Sequence, residues 1–490
     1  MNTKKFVTNL LFLLVLNMLV KPFWILGIDR AFQNAVGAEE YGIYFALFNF
    51  SFLFNIFLDL GITNFNNKNI AQNNHLLSKH FPSIIGLKLV LSGVYILMTL
   101  GLAFILGYNT DQAKFLFVLA LNQFFISIIL YLRSNLAGLH LFKTDSVISV
   151  LDRLIMIVIC SLLLWGHFTT EKPKILWYAY AQLIAYIITA LIAFVLVIDR
   201  ARIRKIKWNI PFYIMILKQS LPFAFLILLM TFYNRIDTVM LERLLPDGAF
   251  QSGVYAQAYR LLDAANMIAY LFSVPLLPMF AKMLKNNEST EELTSLSYRM
   301  IIVPAIIVAS GCFFYSKELM GLLYINHVNE SAEVFSYLMM CFVAISTTYI
   351  FGTLLTANGN LKQLNTMASI GMLFNIGVNL ILIPIYKAQG AVWVSLFTQF
   401  FTAIAQIIMA SKVLKFKTNY TLIVKIVCFF VLAFIINYLS KQVFYSPDKW
   451  IINFILAALL IGFMALSFNI ISLKSGLTFL QGSKKDKKTK

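Results

Sequence analysis

Apolar runs of eighteen or more residues recur from one end of this chain to the other. Each is long enough to cross a bilayer core about 30 Å thick. In lipid the backbone must satisfy its own hydrogen bonds, so only helices and closed barrels can span. The runs are continuous, whereas barrel strands would alternate apolar and polar residues. The chain is therefore expected to be an all-α integral membrane protein. Composition agrees: 60% of its residues are hydrophobic and 12% charged, with a mean hydropathy of +0.79. Soluble domains carry about 25% charged residues. The first run, residues 6–28, is too long for a signal-peptide core and lacks a small-residue cleavage site, so it reads as a retained helix. Fourteen transmembrane helices are predicted, and no connection between them is long enough to fold a soluble catalytic domain.

One motif occurs twice. Gly37-Ala38-Glu39-Glu40-Tyr41-Gly42-Ile43-Tyr44 opens an apolar run, and 211 positions later Gly248-Ala249-Phe250-Gln251-Ser252-Gly253-Val254-Tyr255 opens another. Gly, Ala, Gly and Tyr fall in register, and Asn55 aligns with Asn266 at the same offset. Such self-similarity is the mark of a duplication. Six predicted helices precede the basic loop Asp199–Lys207, and an even number returns the chain to its starting side. Both halves then enter the membrane the same way up, which predicts a parallel repeat about a pseudo-two-fold axis along the membrane normal. The expected organisation is an N-terminal six-helix lobe (1–199), a basic linker (200–218), a second six-helix lobe (219–411), two C-terminal helices (412–472) and a basic tail (473–490). Short amphipathic interfacial helices are expected over Asn66–His80 and Ala281–Ser297.

The net charge is +19. The excess sits in short loops and the tail, the bias that places basic residues on the cytoplasmic side rather than a nucleic-acid surface. With both termini cytoplasmic, that side holds Lys4, Lys5, Arg133, Lys143, the Arg200–Lys207 cluster, Lys282, Lys285, Lys412 and the tail lysines. The other side holds few, among them Arg30, Lys114, Lys172 and Lys387. The four cysteines lie in apolar runs without a CxxC pair and read as small core residues.

Ionisable residues inside a membrane helix cost at least about 2.5–3.5 kcal/mol at the bilayer centre, so they face a cavity or a partner. Lys21 lies well inside the first predicted helix. Arg235 and Asp237 lie in the seventh, and Arg260 and Asp263 share one face of the eighth. The 211-residue offset places Arg235 opposite Trp24, within a turn of Lys21. These cations can line a polar cavity that holds an anionic group, or they can pair with the nearby carboxylates and only join helices. Lys88 and Arg153, nearer the cytoplasmic ends, are expected to snorkel to the interface. There is no Walker A loop, and the five histidines lack metal-ligand spacing. No metal or cofactor is expected, and pumping would draw on an ion gradient, the membrane potential or a partner.

Asn234-Arg235-Ile236-Asp237, Gly253-Val254-Tyr255-Ala256-Gln257-Ala258-Tyr259-Arg260-Leu261, and Leu354-Leu355-Thr356-Ala357-Asn358-Gly359-Asn360-Leu361-Lys362 with Asn375 and Gln389-Gly390-Ala391 resemble the polysaccharide flippases of the MOP superfamily. That superfamily also holds MATE exporters and the lipid II flippase. The resemblance implies two lobes, alternating access, and export of undecaprenyl-diphosphate-linked oligosaccharide across the bacterial inner membrane for O-antigen or capsule assembly. It implies substrate contacts from Arg235, Arg260, Lys21, Asn55 and Asn266, and H⁺ or Na⁺ coupling at Asp263 or Asp237. Membrane lipids, a polysaccharide polymerase and assembly proteins are the partners it implies, with no nucleic acid. The first lobe lacks the dense arginine set of the lipid II flippase. A MATE-like exporter of cationic drugs would want more intramembrane carboxylates than cations. A membrane glycosyltransferase would want a sizeable outward loop, so the chain is expected not to be an enzyme.

Overall fold

The computed structural model describes residues 12, 15–63, 66, 67, 70, 73, 75–166, 171–201, 209–273, 275–416, 419–443 and 446–470, which are overwhelmingly helical and include no strand. Residues 15–23 run through a π-helical turn, Trp24–Asp29, into α1 (Arg30–Val36). Next come α2 (Ala38–Leu53), a 3₁₀ turn at Asn55–Leu58, α3 (Leu76–Ile105), α4 (Thr110–Gly138), α5 (Phe142–Trp165), α6 (Ile175–Ala201), α7 (Ile210–Leu244) and α8 (Gly248–Ser273). The chain continues as α9 (Leu276–Lys285), α10 (Glu291–Phe314), α11 (Ser316–Leu323), α12 (Val328–Ala357), α13 (Leu361–Leu414), α14 (Tyr420–Val443) and α15 (Trp450–Ser467). Among the described residues, eleven helices are long and apolar enough to cross a membrane. One is α13, whose 54 residues contain two predicted spans, 364–385 and 390–411, divided at Lys387 (φ 53°, ψ −134°). The chain is an all-helical, multi-pass membrane protein.

Local chemistry sets several ends. Asn109 opens α4 with a capping box: its side chain accepts from the Gln112 backbone N–H (2.8 Å), and the Gln112 side chain accepts from the Asn109 N–H (3.2 Å). Asn209 caps α7 ahead of Pro211, which needs no hydrogen-bond partner there. Two expectations on boundaries change. Helix 1 does not stop at 28 but continues to Val36. The amphipathic segment predicted at Ala281–Ser297 is instead α9, which starts behind Pro275 and ends at Lys285; Ser297 belongs to α10. Residues 202–208 of the basic linker, the tail 473–490 and parts of 66–80 lie outside the described residues.

Contacts divide the chain into two compact units, Met1–Gln257 with Met372–Ala391, and Ala258–Gly371 with Val392–Lys490. In the first, α4 packs along α6 and α2 along α7. On α6 the inward stripe is Tyr178, Ala181, Gln182, Ala185, Tyr186, Thr189 and Ala193, while Ile184, Ile188, Leu191 and Val195 face outward. Lipid is as apolar as leucine, so packing favours small and hydrogen-bonding residues inside and leaves large aliphatics outside. In the second unit α10 packs along α12 and receives α14 and α15. Asn437 donates to the Ser310 hydroxyl (3.1 Å), and Phe454 lies over Gly311.

The duplicated motif meets itself. A Cβ added at Gly42 would lie 2.6 Å from the Gly253 nitrogen and clash with the Ala249 carbonyl. One added at Gly253 would lie 2.6 Å from the Ala38 carbonyl carbon. The 211-residue offset carries Ala38 to Ala249 and Gly42 to Gly253, so the two contacts exchange under the repeat, as a two-fold contact must. Both strips have the small-xxx-small spacing that lets helix backbones touch.

The repeat is not perfect. After α2 the helix breaks over Phe54–Gly61, with Leu60 at φ 44° and Gly61 at φ 82°, whereas the matching residues 265–272 remain within α8. A side chain at Gly61 would strike Ser220. The break frees the Leu58 carbonyl, which accepts from Lys88 Nζ (3.1 Å) and Ser127 Oγ (3.2 Å). Lys88, 1% exposed, also pairs with Asp59 at 2.8 Å, so it plugs the break and does not snorkel.

Two outcomes are expected. Gly42→Ala and Gly253→Ala overpack the crossing by about 1–3 kcal/mol each and lower the thermal midpoint in detergent, while Gly462→Ala, where a Cβ meets open space, leaves it unchanged. Lys88→Met strands the Asp59 carboxylate and costs about 2–3 kcal/mol, below the 3–5 of a fully buried pair because Asp59 is a quarter exposed; Lys88→Met with Asp59→Asn recovers most of it.

Candidate functional site

Three polar groupings lie inside the bundle of the first unit, each treating charge differently. The first is on α7. Asp237, 1% exposed, accepts hydrogen bonds from Tyr255 Oη (2.9 Å) and Asn379 Nδ2 (2.8 Å). Asn379 donates as well to Asn375 Oδ1 (3.1 Å), one turn earlier on α13. The Asn379 Oδ1 and Asn375 Nδ2 atoms are buried and have no hydrogen-bond partner among the described residues. Asn379 thus turns its N–H groups toward the Asp237 carboxylate and the Asn375 oxygen, and its own amide oxygen remains as an acceptor. Thr238, the next residue on α7, accepts from Asn49 Nδ2 on α2 (2.8 Å), and Ser252 Oγ donates to the Thr238 carbonyl (3.0 Å). These bonds hold α7 against both motif helices. Arg235 turns elsewhere: its guanidinium lies over the Phe52 ring at 5.5 Å.

The second grouping is cationic. Lys21 is half-buried, within electrostatic reach of Arg153, Asp152 and Arg133. Arg153, on α5, does not snorkel as expected. Its guanidinium lies 5.7 Å from the Trp24 ring centre and 5.9 Å from that of Tyr186, and its Nε is 3.5 Å from Asp152. Aromatic faces hold a guanidinium without neutralising it. Arg133 is bound to Asp145 at 2.7 Å, which leaves Lys21, Arg153 and Asp152 with a net positive charge. Asn17 Nδ2 donates to Ser149 Oγ (3.0 Å) and fixes helix 1 against α5 one turn away.

The third is Asp29, in the π-helical turn. It is 1% exposed and accepts from Tyr41 Oη (2.9 Å), Gln33 Nε2 (3.1 Å) and the Tyr178 hydroxyl. π-turns gather at functional sites, and a carboxylate inside a membrane helix is a functional candidate by default. Sequence reading missed it because the predicted helix ended at residue 28. The polar pair Asp29 and Gln33, one helical turn apart, was the available signal.

The remaining predicted residues fall as follows. Asn55 stands in the break of α2, not on a regular helix. In the second unit, Arg260 Nη1 lies 4.0 Å from Asp263 Oδ2, and Asn266, one turn on, has a buried Oδ1 without a hydrogen-bond partner among the described residues. Among those residues no group of three or more His, Cys, Asp or Glu side chains clusters as a metal site. Beyond the spans, Lys387 Nζ binds Asp247 at 2.8 Å and holds that carboxyl below the usual carboxylate range. This pins the α7–α8 turn to the bend in α13.

The fold is that of several solved membrane transporters. The lipid II flippase MurJ in an inward closed conformation is 14% identical, with a TM-score of 0.70 over 93% of this chain and 99% of that one. An inward-facing multidrug resistance MATE family transporter is 12% identical, with a TM-score of 0.61 over 80% and 94%. A MOP superfamily transporter from Pyrococcus furiosus is 15% identical, with a TM-score of 0.61 over 84% and 95%. No curated protein sequence matches. Residues 6–284 match the family described as "Polysaccharide biosynthesis protein". The chain belongs to that family, within the MOP superfamily.

The cradle around Asp237 yields one expectation. Asn379→Leu removes a donor from a buried carboxylate, which costs about 1–3 kcal/mol, and the loss shows as a lower thermal midpoint. Asp237→Asn in the same background restores most of it, because the amide carries no charge to solvate.

Proposed function

We propose that this protein moves an undecaprenyl-diphosphate-linked oligosaccharide from the inner to the outer leaflet of the bacterial plasma membrane, with both termini cytoplasmic. The product would feed surface-polysaccharide assembly of the O-antigen or capsule type, alongside a polymerase and assembly proteins. The reading is supported first by the polysaccharide-biosynthesis family match across residues 6–284. The observation that carries the chemistry is the net positive Lys21–Arg153–Asp152 grouping. A buried diphosphate needs cations that replace its water, and Lys21 with Arg153 exceeds the one Asp152 carboxylate beside them by a single charge.

Export fits the energetics. Two negative charges leaving a negative-inside cell gain about 4–5 kcal/mol per 100 mV when they cross the whole field. The lipid tail stays in the bilayer, and the sugars pass through water. Arg235 and Arg260 would join Lys21 in guiding the headgroup, with Asn55 and Asn266 toward its hydroxyls. Further drive would come from H⁺ or Na⁺, taken up at Asp237 with Asn375 and Asn379, or at Asp263. A MATE-like drug exporter would instead want carboxylates facing its cargo, and the Lys21–Arg153 grouping has the opposite sign.

Reconstituted in liposomes with lipid-linked oligosaccharide, Lys21→Gln with Arg153→Gln should slow flipping at least about tenfold, since each charged hydrogen bond contributes about 1.5–3 kcal/mol. Undiminished flipping at normal protein levels would remove the pair from the site. Asp237→Asn should abolish any dependence of the rate on Na⁺ or on the pH gradient, and a dependence that persists would place coupling elsewhere.

A further inference from the structure

The break in α2 opens a pocket that none of the groupings above uses. It has a volume of ≈ 300 Å³ and lies between the broken segment and α4, wholly inside the first unit. Asn55, Asp59 and Thr63 line it on one side, Gln123 and Ser127 on the other. Gln123 is 1% exposed, and its Nε2 has no hydrogen-bond partner among the described residues. Such a donor is normally satisfied, so a group able to accept from it belongs in the pocket.

Charge narrows the occupant. Asp59 is already paired with Lys88 at 2.8 Å, and the Thr63 hydroxyl donates to it too. A diphosphate would meet the carboxylate, and a bare cation would meet the lysine. Neither gains from a pair that is already neutral. The lining offers the Asn55 and Gln123 amides as donors and the Asp59 carboxylate and Thr63 oxygen as acceptors, the Thr63 and Ser127 hydroxyl protons being already given to Asp59 and the Leu58 carbonyl, so the complementary group both donates and accepts. Hydroxyls do both. Size narrows it further. A water occupies about 30 Å³ of liquid, and pockets for small organic ligands start at about 300 Å³. The cavity suits one ring, with Ile56 and Ile126 against its C–H face.

We propose that this pocket binds one sugar unit of the transported glycan through its hydroxyl groups, separately from the cations that take the diphosphate. The assignment rests on the functional reading above. It makes Gln123 and Thr63 specificity-determining residues.

The test uses the full chain in lipid nanodiscs. Four probes are compared: undecaprenyl diphosphate with no sugar, and the same lipid bearing one glucose, galactose or N-acetylglucosamine. The wild type should bind at least one sugar-bearing lipid about tenfold tighter than the bare lipid. Gln123→Leu and Thr63→Val should each bring that ratio close to one while binding of the bare lipid, which also reports the fold, stays the same. Retention of the ratio in both variants overturns the assignment. So does equal weakening toward every probe, which marks a structural role, or a Na⁺-induced rise in thermal midpoint that Gln123→Leu abolishes, which marks a cation site. A wild type that prefers no sugar overturns it as well. Failure of the wild type to bind the bare lipid sinks the functional reading itself, an outcome distinct from loss of the sugar preference alone.

Discussion

Two strips of bare backbone, Ala38–Gly42 and Ala249–Gly253, lie against each other without an intervening side chain. Between helices in lipid there is no hydrophobic drive to associate, so van der Waals contact and hydrogen bonds must do the work. Both fall steeply with distance. Close approach at the glycines brings α2 and α8 together, and both then bond to α7, Asn49 to Thr238, Ser252 to the Thr238 carbonyl and Tyr255 to Asp237. A methyl group at either glycine would push α2 and α8 apart where they meet.

Charge inside the first unit is then divided among different environments. Lys88 and Asp59 cancel, and their role is to close a broken helix. Asp237 and Asp29 keep their carboxylates among amide and phenol donors, an arrangement that tolerates a buried negative charge. Lys21 and Arg153 keep a positive excess beside aromatic rings. Only the last of these environments would draw an anion.

The all-helical membrane fold was legible in the sequence because lipid imposes long apolar runs, and the repeated motif because it keeps a register that can be counted. The gap between predicted spans 364–385 and 390–411 contains Lys387, where the backbone turns. Side-chain facing was much less legible. In a soluble helix polar residues mark the outer face, but here lipid and core are both apolar and the usual contrast is lost. Arg153 reads as a snorkelling residue until Trp24 and Tyr186 are seen around it. Lys88 reads the same way until the freed Leu58 carbonyl is found at its ammonium. Asp29 fell one residue beyond a predicted boundary. Gln123 is an ordinary polar residue in a helix until α2 breaks beside it.

That break also separates the mechanical properties of two helices cut from one template. A continuous α-helix resists bending because every peptide along it is tied to the next turn. α8 keeps those ties through residues 265–272, whereas α2 gives them up over Phe54–Gly61. The first copy has a joint where the second has a stiff rod. Flexure of α2 concentrates at that joint, and the pocket lined by Asn55, Asp59 and Gln123 has the joint as one of its walls. Its shape is therefore tied to the curvature of α2, while the corresponding stretch of α8 has no such compliance.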